Sequence, residues 1–253
     1  MTDRHVRISV GDGSCHAVMR GEGGQTFRQG VRTVVFSHGF QVPGFESSRM
    51  FWKISRVLSS RGWQSVMFDY RGSGYSDLDF EEMTLQTEIE DLTQVLKYVR
   101  DEVGAEAEVC TWGMSLGTSV LAEVLKSDSA RVAKTVLWGL SAELFERWHV
   151  RWQDQFDQQG YAILPSGYIV RPSVVEGMRG INTYRSLSSI SIPILCVAGG
   201  ADPGGELRMS KIAASECGAN FKLVEYPTGM HAFKGQPDLL HEATDLTINW
   251  LDG

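Results

Sequence analysis

Short apolar runs alternate with stretches of helical periodicity over most of this 253-residue chain. Residues 33–37, 65–68 and 135–138 are apolar runs without polar alternation, a pattern typical of strands that are covered on both faces. Helical runs at about 50–62 and 116–125 lie between them. This order predicts an α/β fold with a mostly parallel sheet and helices on both of its faces.

The two ends of the chain extend this pattern. The β-prone runs 6–10 and 14–19 flank Gly11-Asp12-Gly13, which predicts an opening hairpin. Strands are also predicted at 194–198 and 221–226, with helices at about 206–217 and 237–250. Thr87 and Glu90 have the spacing of a capping box and predict that another helix begins there.

The alternation stops between residues 141 and 191. This stretch is rich in aromatic and polar residues and has no clear period. A segment of this length between sheet elements is more typical of an inserted cap than of a plain loop. We therefore expect a core formed by residues 1–140 and 192–253, with a cap at 141–191.

Composition narrows the classes of partner. The formal net charge is -7, which gives no electrostatic reason to expect nucleic acid or an anionic membrane surface. No run of 18 apolar residues occurs, the first ten residues lack the apolar segment of a leader, and the four cysteines show no C-x-x-C spacing. We expect a cytoplasmic protein with reduced thiols, although a secreted chain without its leader would look the same.

The segment Gly113-Met114-Ser115-Leu116-Gly117 has the form G-x-S-x-G and lies between a predicted strand and a predicted helix. A serine on such a turn projects its hydroxyl above the sheet, and the flanking glycines relieve backbone crowding. Ser115 is therefore a candidate nucleophile. A five-residue pattern also arises by chance, so the interpretation requires a base and an acid elsewhere.

Asp202 and His231 meet this requirement, since each follows a predicted strand. The order Ser115, Asp202, His231 suits a serine activated by a histidine that a carboxylate orients. Asp202 could instead start a turn before Pro203, and His231 could be a surface histidine. Two backbone N–H groups, those of Phe40 and Leu116, are the candidate oxyanion donors.

The segments HGF at 38–40, FDYRGSGYSD at 68–77, GMSLG at 113–117, GGAD at 199–202 and GMHAF at 229–233 resemble the α/β-hydrolase superfamily along nearly the whole chain. Within it, the chain is similar to bacterial cinnamoyl and feruloyl esterases and to related acyl hydrolases and thioesterases. The resemblance implies the α/β-hydrolase fold, an eight-stranded sheet with a cap after the sixth strand, a covalent acyl-enzyme and no cofactor. In such relatives, the residues matching Phe40 and Leu116 supply the oxyanion donors.

Two departures from the family pattern stand out. Met114 occupies a position where many relatives have histidine, and the acid loop reads ADPGGEL, so Glu143 is kept as an alternative acid. Met114, Trp148, Trp152 and Tyr168 are candidate substrate-binding residues, although the aromatic residues could equally form a small core of the cap.

The predicted function is hydrolysis of a small-molecule carboxylic ester or thioester, without a metal, nucleic acid or membrane insertion. The same three side chains would also serve an acyltransferase or a cyclising or product-releasing thioesterase. An alternative of another class is a catalytically silent binding protein with this fold. A dehalogenase is disfavoured because its nucleophile would be a carboxylate where Ser115 stands. The oligomeric state is left open.

Overall fold

The computed structural model describes residues 3–253, except for the side chain of Ala130. Within these residues the chain forms ten strands, which in chain order are β1 (Arg4–Val10), β2 (Gly13–Arg20), β3 (Thr33–Ser37), β4 (Gln64–Phe68), β5 (Val109–Met114), β6 (Lys134–Trp138), β7 (Ala162–Ile163), β8 (Ile169–Val170), β9 (Ile194–Gly199) and β10 (Phe221–Tyr226). Eight of them build one sheet in the order β1-β2-β4-β3-β5-β6-β9-β10, and β7 pairs with β8.

The six strands from β4 to β10 in this order pair in parallel, while β1 and β2 form an antiparallel hairpin and β2 is antiparallel to β4. Strands β3 to β6 and β9 are almost entirely buried because helices cover both faces. The predicted α/β fold with a mostly parallel eight-stranded sheet is confirmed.

Eight helices are described: α1 (Met50–Ser60), α2 (Leu85–Val103), α3 (Leu116–Ser127), α4 (Leu144–Gln159), α5 (Pro172–Glu176), α6 (Thr183–Ser188), α7 (Glu206–Glu216) and α8 (Pro237–Asp252). On one face, α1 and α8 bury apolar residues such as Phe51 and Ile248. On the other face, α2, α3 and α7 bury residues such as Val95, Val120 and Met209. Within residues 3–253, no helix has both the length and the apolar character needed to cross a membrane.

Helix α2 begins one turn earlier than predicted. Its N-cap is Thr84, whose hydroxyl accepts the backbone N–H of Thr87 at 3.1 Å, while the Thr87 hydroxyl accepts the backbone N–H of Thr84 at 2.9 Å. The predicted capping box of Thr87 and Glu90 is therefore wrong. Thr84 is the N-cap residue, and Thr87 is the third residue of the helix, whose hydroxyl bonds back to the Thr84 backbone.

Residues 141–191, which we call the cap segment, connect β6 to β9 and contain α4, β7, β8, α5 and α6. Helix α4 places Leu144 and Trp152 in the interior, while Val150 is exposed. Helix α6 packs against α3 and α7 of the sheet's outer layer. Helix α4 lies near the carboxyl ends of the parallel strands, because it borders the same cavity as the loops after β5, β9 and β10 that carry Ser115, Asp202 and His231.

Candidate active site

Ser115 stands on a strained turn between β5 and α3, with φ 53° and ψ -122°. Its backbone N–H donates to the Trp138 carbonyl at 3.0 Å, and the Thr118 hydroxyl donates to the Ser115 carbonyl at 2.6 Å. A side chain at Gly117 would collide with backbone, because its Cβ would lie 2.3 Å from the Ser37 carbonyl oxygen. Close packing on neighbouring strands therefore holds the serine in a conformation that the turn alone would not maintain.

The Gly39-Phe40 peptide faces this turn, and the orientation of that peptide is fixed by its neighbours. The buried His38 accepts the backbone N–H of Tyr70 at Nε2, at 3.1 Å, so its Nδ1–H donates to the Gly39 carbonyl, at 2.8 Å. Burial lowers the pKa of His38, which favours this neutral tautomer. Since C=O and N–H point in opposite directions across a trans peptide, the Phe40 N–H points away from His38.

Leu116 is the first residue of α3 and is buried. Its N–H is one of the first four amides of the helix, which have no carbonyl partner within the helix. Phe40 and Ser115 line the same cavity. The two predicted oxyanion donors thus lie on backbone segments that both adjoin Ser115.

Glu46 supports the Phe40 loop from the other side. Its carboxylate accepts the backbone N–H groups of Gly39, at 2.7 Å, and of Ser47, at 2.9 Å. A Cβ built at Gly39 would lie 3.2 Å from Ser115 Cβ and 3.3 Å from Glu46 Oε2, so a buried carboxylate stands close to the serine. The strained backbone of Glu46, with φ 61° and ψ 171°, accompanies this placement.

His231 follows β10 and contacts a carboxylate that the sequence analysis did not select. Its Nδ1–H donates to Glu206 Oε2 at 2.7 Å. Glu206 is the first residue of α7, is 3% exposed, and accepts the Gly199 N–H with its other oxygen. The helix N-terminus and this amide both stabilise the charged carboxylate. Glu206 therefore orients the imidazole from the start of α7, next to the end of β9.

Asp202 is brought to the same place but does not make this hydrogen bond. Its Oδ2 lies 4.0 Å from His231 Nδ1 and 3.4 Å from the Glu206 backbone nitrogen, and its carbonyl accepts the Gly205 N–H at 3.2 Å. The prediction that Asp202 orients the imidazole does not fit this geometry. Asp202 closes the turn before α7, which is the alternative use of aspartate that Pro203 suggested.

Glu143, the alternative acid, is engaged elsewhere. Arg208 donates to its carboxylate oxygens at 3.0 and 2.5 Å, and the Tyr184 hydroxyl donates to it at 3.0 Å. The hydrogen bonds from Arg208 lower the pKa of Glu143, against the effect of burial. This carboxylate ties the start of α4 to α7 and is not a partner of His231.

Gly139 has a positioning role that the sequence analysis missed. A Cβ at this position would lie 2.9 Å from Glu206 Oε2 and 3.0 Å from His231 Cε1, and its φ of 61° is unfavourable for any other residue. The His231 imidazole and the Glu206 carboxylate meet in the space that a side chain at position 139 would fill. The sequence feature that could have indicated this role is a glycine directly after strand β6.

The acid–base state of His231 reflects these contacts. Burial lowers its pKa, but the hydrogen bond to Glu206 and the charges of Glu206, Asp202 and Glu46 outweigh that effect, so its pKa lies above its ordinary value of 6.5. The imidazole side chain keeps 42% of its surface exposed. It is thus open to a substrate, and its contacts favour the protonated imidazole.

Two cavities open on either side of Ser115 and His231. The cap-side cavity, of about 340 Å³, is bounded by the start of α4 and the loop after β9. The second cavity, of about 590 Å³, is bounded by the loop before α1 and the start of α8. Both are lined by Ser115, His231 and Phe40, so a molecule bound across them would pass directly over the serine.

The candidate substrate-binding residues divide into two pairs. Trp148 and Trp152 line the cap-side cavity, and their rings pack on Phe40 with centroids 4.5 and 6.1 Å away. Met114 is buried in the core, and Tyr168 packs on Phe80 with centroids 4.3 Å apart. Among the described residues, neither Met114 nor Tyr168 lines a cavity that contains Ser115.

Asp202, Glu206 and His231 each offer one ligand atom, and these three atoms lie within 4.8 Å of one another. This spacing could accommodate a cation. The hydrogen bond between His231 and Glu206 already satisfies two of the three groups, which accounts for their closeness without a metal.

The fold agrees with comparison to known proteins. Residues 32–166, more than half of the chain, match the family model described as alpha/beta hydrolase fold. The chain belongs to this family.

Solved structures of low sequence identity share the fold over almost their full length. Est1E from Butyrivibrio proteoclasticus, with ferulic acid bound, is similar with a TM-score of 0.83 and 17% identity, covering 98% of this chain and 100% of that chain. A putative hydrolase from Agrobacterium vitis has a TM-score of 0.80 at 17% identity, with coverage of 98% and 97%. Mouse alpha/beta hydrolase domain-containing protein 10 has a TM-score of 0.79 at 18% identity, with 98% of both chains covered.

Proposed function

We propose that this chain is a serine hydrolase that cleaves a carboxylic ester or thioester through an acyl-enzyme on Ser115. The observation that carries the proposal is the joint placement of three groups. Ser115 occupies the strained turn, His231 lines the same two cavities, and Glu206 holds the far side of its imidazole at 2.7 Å. Such an arrangement turns a weak hydroxyl nucleophile into an effective one.

In the first half of the reaction, His231 Nε2 removes the Ser115 proton as Oγ attacks the acyl carbonyl. The tetrahedral intermediate collapses, the alcohol or thiol leaves, and His231 returns the proton to it. Glu206 stabilises the imidazolium that exists between these two transfers. In the second half, His231 takes a proton from water, which attacks the acyl-enzyme, and then gives that proton back to Ser115 as the acid is released.

We assign the stabilisation of the negative charge on the substrate carbonyl oxygen to the N–H groups of Phe40 and Leu116. His38 and Glu46 support this role, because together they fix both backbone groups of Gly39 and so the direction of the Phe40 N–H. Loss of one such donor typically lowers turnover by about 100- to 1,000-fold. The helix α3 adds the partial positive charge of its N-terminus.

The family and the similar structures favour hydrolase activity, without specifying the bond that is cleaved. The Est1E structure contains bound ferulic acid, which is a property of that protein. A cavity lined by Phe40, Trp148 and Trp152 suits an apolar or aromatic part of a small-molecule substrate.

Acyl transfer is the second candidate function, favoured by the second cavity. About 590 Å³ of space adjoins both Ser115 and His231 opposite the cap-side cavity. An alcohol or amine bound there would attack the acyl-enzyme in place of water. Adding alcohols to a thioester assay and separating acid from ester product distinguishes transfer from hydrolysis.

The direct test is a panel of aryl esters, acyl thioesters, amides and lactones assayed with the wild type and with Ser115→Ala. We expect ester or thioester cleavage that falls by a factor of about 10³ or more in the variant. Circular dichroism and thermal unfolding of both proteins serve as the folding control. A folded wild type that cleaves none of the panel would favour a silent binding protein instead.

A further inference from the structure

We infer that the cap-side cavity recognises a negatively charged group on the substrate, and that Arg147 and Arg151 of α4 bind it. This inference rests on the proposed function, because it assigns a chemical class to the substrate of the same site. Both arginines line the cavity together with Ser115. Their spacing of four residues places them on one face of the helix.

The two guanidinium groups lack the carboxylate partners that Arg171 and Arg179 of the cap segment have. Arg171 pairs with Glu81 at 2.7 Å and Arg179 pairs with Glu176 at 2.9 Å. Over residues 3–253, no carboxylate oxygen lies within 4.0 Å of the nitrogens of Arg147 or Arg151. Two cations that line the cavity of a candidate nucleophile thus form no salt bridge within the described residues.

Arg147 is oriented by neutral groups. It donates to the Gly204 carbonyl at 3.0 Å and to the Ala142 carbonyl at 3.4 Å, which joins α4 to the loop before α7. Arg151 is exposed, and its guanidinium carbon lies 5.8 Å from the Trp152 ring centroid. Arg147 therefore supplies a fixed charge, while Arg151 is free to move onto a ligand.

The cavity is also lined by two carboxylates, which are less accessible than the arginines. The Glu206 side chain is 4% exposed and is occupied by His231 and Gly199, and the Asp202 side chain is 9% exposed. The exposed Arg151 is therefore the more accessible charged group for a ligand. The guanidinium forks of the two arginines suit a carboxylate, which accepts two parallel hydrogen bonds.

The aromatic residues Phe40, Trp148 and Trp152 line the same cavity as Ser115 and these charges. A substrate that uses all three features has a scissile ester, an apolar part and a carboxylate. Monoesters of dicarboxylic acids have this form when the charge is on the acyl side. Esters of hydroxy acids have it when the charge is on the leaving group.

The test compares matched esters that differ only in charge. For the acyl side, we would use the 4-nitrophenyl monoester of glutaric acid and 4-nitrophenyl valerate, and for the leaving group, 4-acetoxybenzoate and 4-acetoxybenzamide. We expect the wild type to favour the anion by about tenfold or more in kcat/KM in at least one pair. We also expect this ratio to fall in 0.5 M NaCl, because salt screens exposed charges.

Arg151→Gln should lower the anion-to-neutral ratio markedly, since it removes the mobile cation and leaves only Arg147. Arg185→Gln is the matched control: Arg185 is an exposed cap arginine outside this cavity, and its loss should leave the ratio unchanged. A wild-type ratio near one in both pairs, or a ratio that survives Arg151→Gln, would overturn the inference.

A binding measurement separates this inference from the proposed catalysis. In a Ser115→Ala background, quenching of tryptophan fluorescence would report the affinities of monomethyl glutarate and methyl valerate. We expect tighter binding of the anion, and a clearly smaller difference when Arg151→Gln is added. Equal affinities would refute the anion site even if esters are cleaved, and unequal affinities would support it even if they are not.

Discussion

At the residue scale, two carboxylates four positions apart approach His231 and differ in what they can do for it. Glu206 accepts the Nδ1–H at 2.7 Å, which fixes the tautomer that leaves Nε2 free to accept a proton. Asp202 stands 4.0 Å away and acts on the imidazole only through its charge. The proposed triad is therefore Ser115, His231 and Glu206.

We expect Glu206→Gln to lower kcat by a factor on the order of 10² to 10⁴, because an amide cannot hold the imidazolium or enforce its tautomer. Asp202→Asn should cost less than about tenfold. Steady-state kinetics of both variants on one aryl ester, with unfolding curves as the folding control, measures the difference. A larger loss in Asp202→Asn would return the role of the acid to Asp202.

The pH profile supplies an independent readout of the same contact. The base must be neutral to accept a proton, so kcat/KM should fall as pH drops through the pKa of His231, which lies above 6.5. Glu206→Gln removes the hydrogen bond and charge that raise this pKa, and its acidic limb should move to lower pH. Asp202→Asn should move the limb less. An unchanged limb in Glu206→Gln would show that another group is titrating.

The sequence selected Ser115 and His231 as the proposed nucleophile and base, but it did not select Glu206, the carboxylate that contacts His231. Both strand ends are marked by apolar runs, and the residue that follows each run is easy to identify. In the loop Gly199 to Glu206, however, the distance between a carboxylate and the imidazole depends on how the chain turns before α7. Gly139, Gly199 and Gly229, which lie at or just after the ends of β6, β9 and β10, pack closely there. No local sequence pattern predicts how these three segments contact one another.

At the scale of elements, strands were predicted more accurately than helix starts. Residues 33–37 and 221–226 were predicted as strands and form β3 and β10 with the same bounds, although β3 is buried along its length and β10 is a partly exposed edge strand. The start of α2 depends on which threonine hydroxyl accepts which amide, and Thr84 and Thr87 could each play the capping role. Local hydrogen-bond competition of this kind is settled by the packing of Leu85, which is fully buried.

Thr84→Ala should lower the free energy of unfolding by about 1 kcal/mol, because it leaves the Thr87 amide without its side-chain acceptor. Thr93→Ala is the matched control, since Thr93 is exposed in the middle of the same helix and should change stability by less than about 0.5 kcal/mol. Urea unfolding measures both. Equal effects would mean that the hydroxyl of Thr84 is not the cap.

At the scale of the whole molecule, a buried polar layer connects the sheet to α2 below the site. Arg71 donates to Asp91 at 2.6 Å, and the Tyr70 hydroxyl shares a hydrogen bond with Ser37, which donates to the Gly117 carbonyl at 3.0 Å. Glu88 lies in this layer at 3% exposure, and within residues 3–253 its Oε2 has no hydrogen-bond partner. Burial, and then the charge of Asp91, raise the pKa of Glu88 well above its ordinary value.

This shift makes stability depend on pH. A carboxyl with a raised pKa in the folded state contributes fully below the unfolded value of about 4.5, and its contribution is lost as pH rises through the folded value. Glu88→Gln cannot ionise, so we expect it to become more stable than the wild type by about 1 to 3 kcal/mol at pH 8 and to differ little at pH 4.5.

Urea unfolding at pH 4.5, 6 and 8 tests this expectation. Glu106→Gln, a change at an exposed glutamate, should show no such trend. If Glu88→Gln followed the wild type at every pH, Glu88 would be ionised in the folded protein, and its burial would need another explanation.

The acyl-enzyme proposal is tested most directly by covalent capture of the nucleophile. Wild type and Ser115→Ala would be incubated with a fluorophosphonate, and intact-mass spectrometry with peptide mapping would locate the adduct. We predict one adduct per wild-type chain, on the peptide that contains Ser115, and none on the variant. A folded wild type that stays unmodified while it cleaves esters, or one labelled at a different residue, would contradict the account.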